Sequence, residues 1–131
     1  MIIIILEGNM STKDKIVVVH LSSDDEMKAG KALRFADKAL THAAGSVLML
    51  SAQGVNIAKR STGGFTLPGT DINSLDAIRQ FIKDDGRVYV GKECMKTLGI
   101  SATDIIAGCE PSDATVTFDL LLSDDTEMIS W

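Results

Sequence analysis

The chain has 131 residues and a mass of 14.0 kDa, which is about one domain, able to bury about two-thirds of its unfolded surface without staples, and leaves no room for a second of full size. Hydrophobic residues at 45% and charged residues at 24% exclude a wholly disordered, collagenous or disulfide-scaffold chain. The net charge of −5, from 13 basic and 18 acidic residues with no basic stripe, argues against nucleic-acid binding, which needs dense Lys and Arg.

The start, Met1 to Asn9, holds the aliphatic run Ile2 to Leu6 but neither a basic flank nor a small-residue cleavage site, so it does not read as a signal peptide. The run is far short of the roughly 20 apolar residues that span a bilayer. A soluble, cytoplasmic protein with reduced thiols is expected, with no membrane partner. Five aliphatic residues in a row aggregate if exposed. Either they form an extra strand or a subunit contact, or Met10 is the native start and what precedes it is added. Residues 1–14 are therefore read as an N-terminal extension and 15–131 as the folded unit.

Ile16 to Leu21 is a β-branched run of the kind buried on both faces of a parallel sheet, and predicts the first strand. Ser22, Ser23 and Asp24 offer caps, and Met27, Leu33, Ala36, Leu40 and Ala44 recur at helical spacing, predicting a helix over 24–44. Ser46 to Ala52 predicts a second strand, and Gly54 to Lys59 a short helix. Residues 60–70, with Gly63-Gly64 and Pro68-Gly69, form the longest irregular stretch.

Asp71 or Asn73 caps a further helix through Leu75, Ile78, Phe81 and Ile82, ending at Asp84-Asp85-Gly86. Arg87 to Val90 is a third strand, and Lys92 to Leu98 a short helix closed by Gly99. Ser101 to Glu110 is expected to be helical, interrupted by Pro111 and followed by a last helix over 112–123. Glu127 to Trp131 closes the chain as a strand. Strands alternating with helices predict an α/β fold, a three-layer α/β/α sandwich around a largely parallel sheet.

Ligands of open parallel sheets bind beyond the carboxyl ends of the strands, which directs attention to the segments after His20, Ala52 and Val90. Cys94 stands in the first turn after the third strand, with Lys92 and Lys96 two residues to either side. A helix amino terminus and nearby lysines favour a thiolate, making Cys94 a candidate nucleophile; the plainer alternative is a small buried apolar residue. His20, closing the first strand, is a candidate to accept a proton or hold a ligand in the same crevice, against the plainer role of a satisfied structural histidine.

Other groups point elsewhere. Ser61-Thr62-Gly63-Gly64 with Lys59-Arg60 could hold an anion, but neither GxxxxGK[ST] nor GxGxxG is present, so no nucleotide cofactor is expected. Ser23-Asp24-Asp25 and Ser123-Asp124-Asp125 read as caps and solvated charge, and His42 as a solvated residue near a helix end. Cys109, without basic neighbours, is expected to be packed and inert. The spacing of the two cysteines matches no zinc half-site, so no metal is expected.

Gly54-Val55, Val88-Tyr89-Val90 with a cysteine-bearing turn, Leu98-Gly99-Ile100, Asp104 to Gly108 and a closing Met128-Ile129-Ser130-Trp131 occur here in order. The set resembles the DsrE/DsrF-like family over residues 15–131. The resemblance implies a five-stranded, largely parallel sheet, assembly as a homo-oligomer (trimer or hexamer), and a family that includes sulfur-relay proteins carrying a cysteine persulfide and others labelled as predicted peroxiredoxins. It differs at one point. Relay members place the sulfur-carrying cysteine directly after the third strand, where this chain has Gly91; Cys94 matches the second cysteine of members that read CxxC there.

The function these residues suggest is sulfur relay on Cys94, with Lys92, His20 and Gly91 as ligand- or anion-binding residues, no cofactor, and other sulfur-relay proteins as partners. The alternative is a non-enzymatic binding or assembly protein with a structural Cys94. A thiol peroxidase lacks a visible partner set for activating peroxide.

Overall fold

A computed structural model describes residues 14–131. The N-terminal run Ile2 to Leu6 lies outside them. The described chain forms β1 (Ile16–Leu21), α1 (Glu26–His42), β2 (Gly45–Leu50), α2 (Ser74–Lys83), β3 (Arg87–Gly91), α3 (Lys92–Thr97), β4 (Cys109–Ser112), α4 (Ala114–Leu121) and β5 (Thr126–Ser130), with 3₁₀ turns at Ala52–Ala58, Arg60–Thr62 and Ala102–Asp104. The sheet order is β4-β3-β2-β1-β5 and every pairing is parallel, as the β-α alternation requires.

Strand alternation divides the core between two faces. One face of the sheet, through Val19, Leu21, Leu48, Leu50, Val88 and Val90, packs against α1, α2 and Met95 of α3. On the other, Val18, Val47 and Met49 pack with Ile16, Tyr89 and Leu120 of α4. Helices on both faces make the three-layer α/β arrangement. Each fully buried aliphatic side chain on the first face contributes about 1.5–3 kcal/mol.

The helix starts are capped, at α2 by the expected Asn73 but at α1 by Asp25 rather than Ser22, Ser23 or Asp24, so that α1 runs over Glu26–His42 instead of 24–44. The Asp25 carboxylate accepts the Lys28 N–H at 3.0 Å, and the Asn73 side chain accepts that of Leu75 at 2.9 Å. Buried Ser46 donates to the Ala36 carbonyl at 2.7 Å, tying β2 to α1. At Gly54 an added Cβ would stand 2.2 Å from the Leu21 carbonyl oxygen, so this turn approaches β1 only as glycine. No helix of the described residues is long and apolar enough to cross a membrane.

One expected element is corrected. Only Ala102–Asp104 of the expected helix over 101–110 is helical, and as a single 3₁₀ turn. Gly108, at φ +96°, then turns the chain into β4, an edge strand that includes Pro111. Proline lacks the N–H of a ladder, and an edge strand leaves one side of the ladder unused, which lets Pro111 sit within β4 rather than break a helix. The last helix is accordingly shorter than 112–123, starting after the Asp113 cap, whose side chain accepts the Thr115 N–H at 2.9 Å.

Candidate functional site

The carboxyl ends of β5, β1 and β2 meet in one row of polar groups. His20 lies on the strand face opposite α1, between two neighbouring strands: its Nε2 is 2.6 Å from the Ser51 hydroxyl after β2, and its Nδ1 is 3.2 Å from the Ser130 hydroxyl on β5. With one ring nitrogen protonated, one serine accepts and the other donates, so both ring positions are satisfied. Burial pushes the His20 pKa below its usual value, holding the ring neutral.

The residue after Ser51 connects this row to the cysteine. Ala52 takes a positive φ of +48°, unusual for a residue with a Cβ, and its N–H points at Cys94 Sγ at 3.2 Å. An N–H aimed at Sγ is a donor suited to the negative charge of a Cys94 thiolate. Cys94 is partly exposed on α3 and stands at a cavity of about 300 Å³ lined by Ala52, Gln53, Glu93, Thr97 and Leu98. Thr97 and Leu98 share its helix face because residues three and four apart are neighbours on a helix.

Gly91 gives Cys94 its seat. A Cβ there would come within 3.3 Å of both Cys94 Sγ and the Leu50 carbonyl oxygen. Lys92 is exposed and does not line the cavity; residues two apart on a helix point away from each other. The charged side chain that does line it is Glu93.

The structure therefore brings Cys94 and Gly91 together at one end of the sheet and leaves Lys92 turned away; His20 is at the same end but on the other face, reaching Ser51 and not lining the Cys94 cavity as expected. Ser51, Ala52 and Ser130 join the site without having stood out in the sequence. Thr97 and Leu98 carry a signal in their spacing from Cys94, whereas an alanine with positive φ has none.

The remaining candidates are engaged elsewhere. The Asp104 carboxylate fills the loop that offered itself to an anion, accepting from Ser61 N–H at 3.1 Å and Ser61 Oγ at 2.7 Å. Cys109 is 8% exposed, and burial pushes its thiol up to about 12. It pairs with Val88, three residues before Gly91, or about 10 Å down the strand direction from the Cys94 turn, and both thiols are free. Among the described residues no group of three His, Cys, Asp or Glu side chains is gathered as a metal would need.

The profile of the DsrE/DsrF-like family matches residues 13–128. The chain belongs to the DsrE/DsrF-like family. Its fold is similar to the crystal structure of the ychN protein from E. coli, with a TM-score of 0.73 at 22% identity, covering 90% of this chain and 99% of that one. The protein of unknown function MTH1491 from Methanobacterium thermoautotrophicum aligns with a TM-score of 0.69 at 15% identity, over 90% of this chain and all (100%) of that one. The protein of unknown function BT1422 from Bacteroides thetaiotaomicron aligns at 0.67 and 13%, over 93% and 98%. At these identities the likeness is one of fold. No curated protein matches the sequence. Within the DsrE/DsrF-like fold, Cys94 occupies the turn after the third strand in chain order.

Proposed function

We propose that this DsrE/DsrF-like protein is a cytoplasmic sulfur carrier that holds sulfur as a persulfide on Cys94. The observation that carries the reading is the Ala52 N–H directed at Cys94 Sγ at 3.2 Å beside an open cavity. The Cys94 thiolate attacks the terminal sulfur of a donor persulfide R–S–SH. A new S–S bond forms at Cys94 as the donor S–S bond breaks, leaving Cys94–S–SH and R–S⁻, with no net oxidation. Delivery to an acceptor thiolate repeats the exchange in reverse sense. No cofactor enters either step.

Gly91 keeps room beside the sulfur, and Ala52 supplies the hydrogen bond to it. Lys92 on the exposed side of α3 is suited to meeting an acidic partner rather than to holding the bound group. The resemblance further implies a homo-oligomer, trimer or hexamer, that exchanges sulfur with other relay proteins. Exposed Phe118, Leu121 and Leu122 on α4 and its end support contact with another protein surface.

Intact-mass spectrometry tests the carrier reading. After incubation with thiosulfate, polysulfide or a persulfide donor, the wild type should gain a reducible increment of about 32 Da per sulfur, and Cys94→Ser should gain none. Cys109 should stay unlabelled until the protein is unfolded. A Cys94 that takes no sulfur from any donor, under conditions that label a free thiol, overturns the reading in favour of a binding or assembly protein.

A further inference from the structure

Charge is segregated along this chain. All 13 Lys and Arg lie at or before Lys96, and the residues after it hold seven acidic side chains. Within the fold the cations Lys31, Arg34 and Lys38 stand on α1 and Asp119 on α4, which pack on opposite faces of the sheet, although α1 also carries Glu26 and Asp37.

On the α1 side an open groove of about 480 Å³ is lined by Met27, Phe35 and Pro68 together with Lys31, Arg34 and Lys38. At 100° per residue these five α1 side chains fall within about 100° of one another, a single stripe about 16 Å long. Met27 is 69% exposed and Phe35 42%. Neither described ion pair, Lys15 with Glu127 or Arg79 with Asp76, uses a cation of this stripe. Asp37 and Asp76 line the adjoining hollow beside Arg34 but not the groove itself.

The other layer carries the complement. No residue of α4 is buried, Phe118 is 59% and Leu122 78% exposed, and the exposed Asp119 and Asp124 stand within two residues of them in the chain. We infer that the cationic, apolar groove along α1 of one copy receives the acidic, apolar α4 end of a second copy, head to tail. The inference rests on the reading that copies of this chain assemble, and names the faces that meet. Apolar side chains fill the groove while carboxylates meet Lys31, Arg34 and Lys38 at its rim. Such a heterologous contact is the type from which trimers are built, since it joins two different patches.

Sedimentation of the full chain tests it. Association should weaken as salt rises from about 50 mM to about 500 mM, as rim charges are screened. Reversing one face, in K31E/R34E or in D119K/D124K, should weaken self-association by about tenfold or more, because like charges are then juxtaposed. Circular dichroism checks that these exposed substitutions leave the fold intact. A 1:1 mixture of the two variants should form a heterologous pair that neither forms alone, since the intact groove of one meets the intact α4 end of the other, but not a closed trimer, because two variants cannot alternate around a ring of three. A monomeric wild type overturns both this inference and the assembly reading. Variants that assemble like wild type, or a mixture that does not pair, overturn the inference alone and point to other contact faces.

Discussion

Gly91 and Ala52 control what Cys94 can do, although neither has a reactive side chain. Gly91→Ala would place a methyl 3.3 Å from both Cys94 Sγ and the Leu50 carbonyl. Its φ of −55° suits alanine, so no dihedral strain arises, and of the two crowded neighbours the sulfur is the one free to turn. The substitution should move Cys94 off the Ala52 N–H and lower sulfur loading several-fold in the mass assay, while changing the unfolding midpoint little. Loading equal to wild type would show that the seat is unimportant. Cys94 is legible as a candidate because its chemistry is written in its identity. Ala52 is not, because its contribution is a backbone N–H and a positive φ of +48° that the residue type does not announce.

At the scale of elements, the turn after β2 is the piece most tightly fixed by sterics. A methyl added at Gly54 would lie 2.2 Å from the Leu21 carbonyl oxygen, a backbone atom that cannot step aside. Gly54→Ala should therefore cost about 3 kcal/mol, at the upper end for overpacking, and denaturant unfolding will show whether it does. A cost below about 0.5 kcal/mol, typical of surface sites, would mean that the turn shifts freely. The helix starts are readable from Asp25, Asn73 and Asp113, or from Ser and Asp residues beside them, since capping is a local hydrogen bond. β4 is not readable in this way. Its four residues, Cys109 to Ser112, include a proline and lack alternation, and they become a strand only because the edge of β3 is there to pair with.

For the molecule as a whole, His20 ties stability to pH. It bridges β1 to Ser51 and Ser130, and burial holds its pKa below the usual 6.5. The unfolded chain therefore takes up a proton before the folded one does. The stability from this group is complete above the unfolded value and is lost as pH falls from about 6.5 through the lower folded value. Unfolding midpoints measured between about pH 7 and pH 5 should fall for the wild type and fall less for His20→Gln; equal slopes would remove His20 as the cause.

Fold class, the order of strands and helices apart from β4, the Asn73 cap and the packed state of Cys109 all follow from local signals in the residues. Those signals are hydrophobic period and capping side chains, whereas what fixes the Cys109 thiol is its burial. Three-dimensional packing settled the rest. It closed the row Ser130-His20-Ser51 across three strands, turned Lys92 out of the Cys94 cavity and Glu93 into its wall, and set the cation-lined groove of α1 and the exposed apolar end of α4 on opposite faces of the sheet. These are relations between residues up to 110 positions apart, and only packing of the parallel sheet sets the distances on which their chemistry depends.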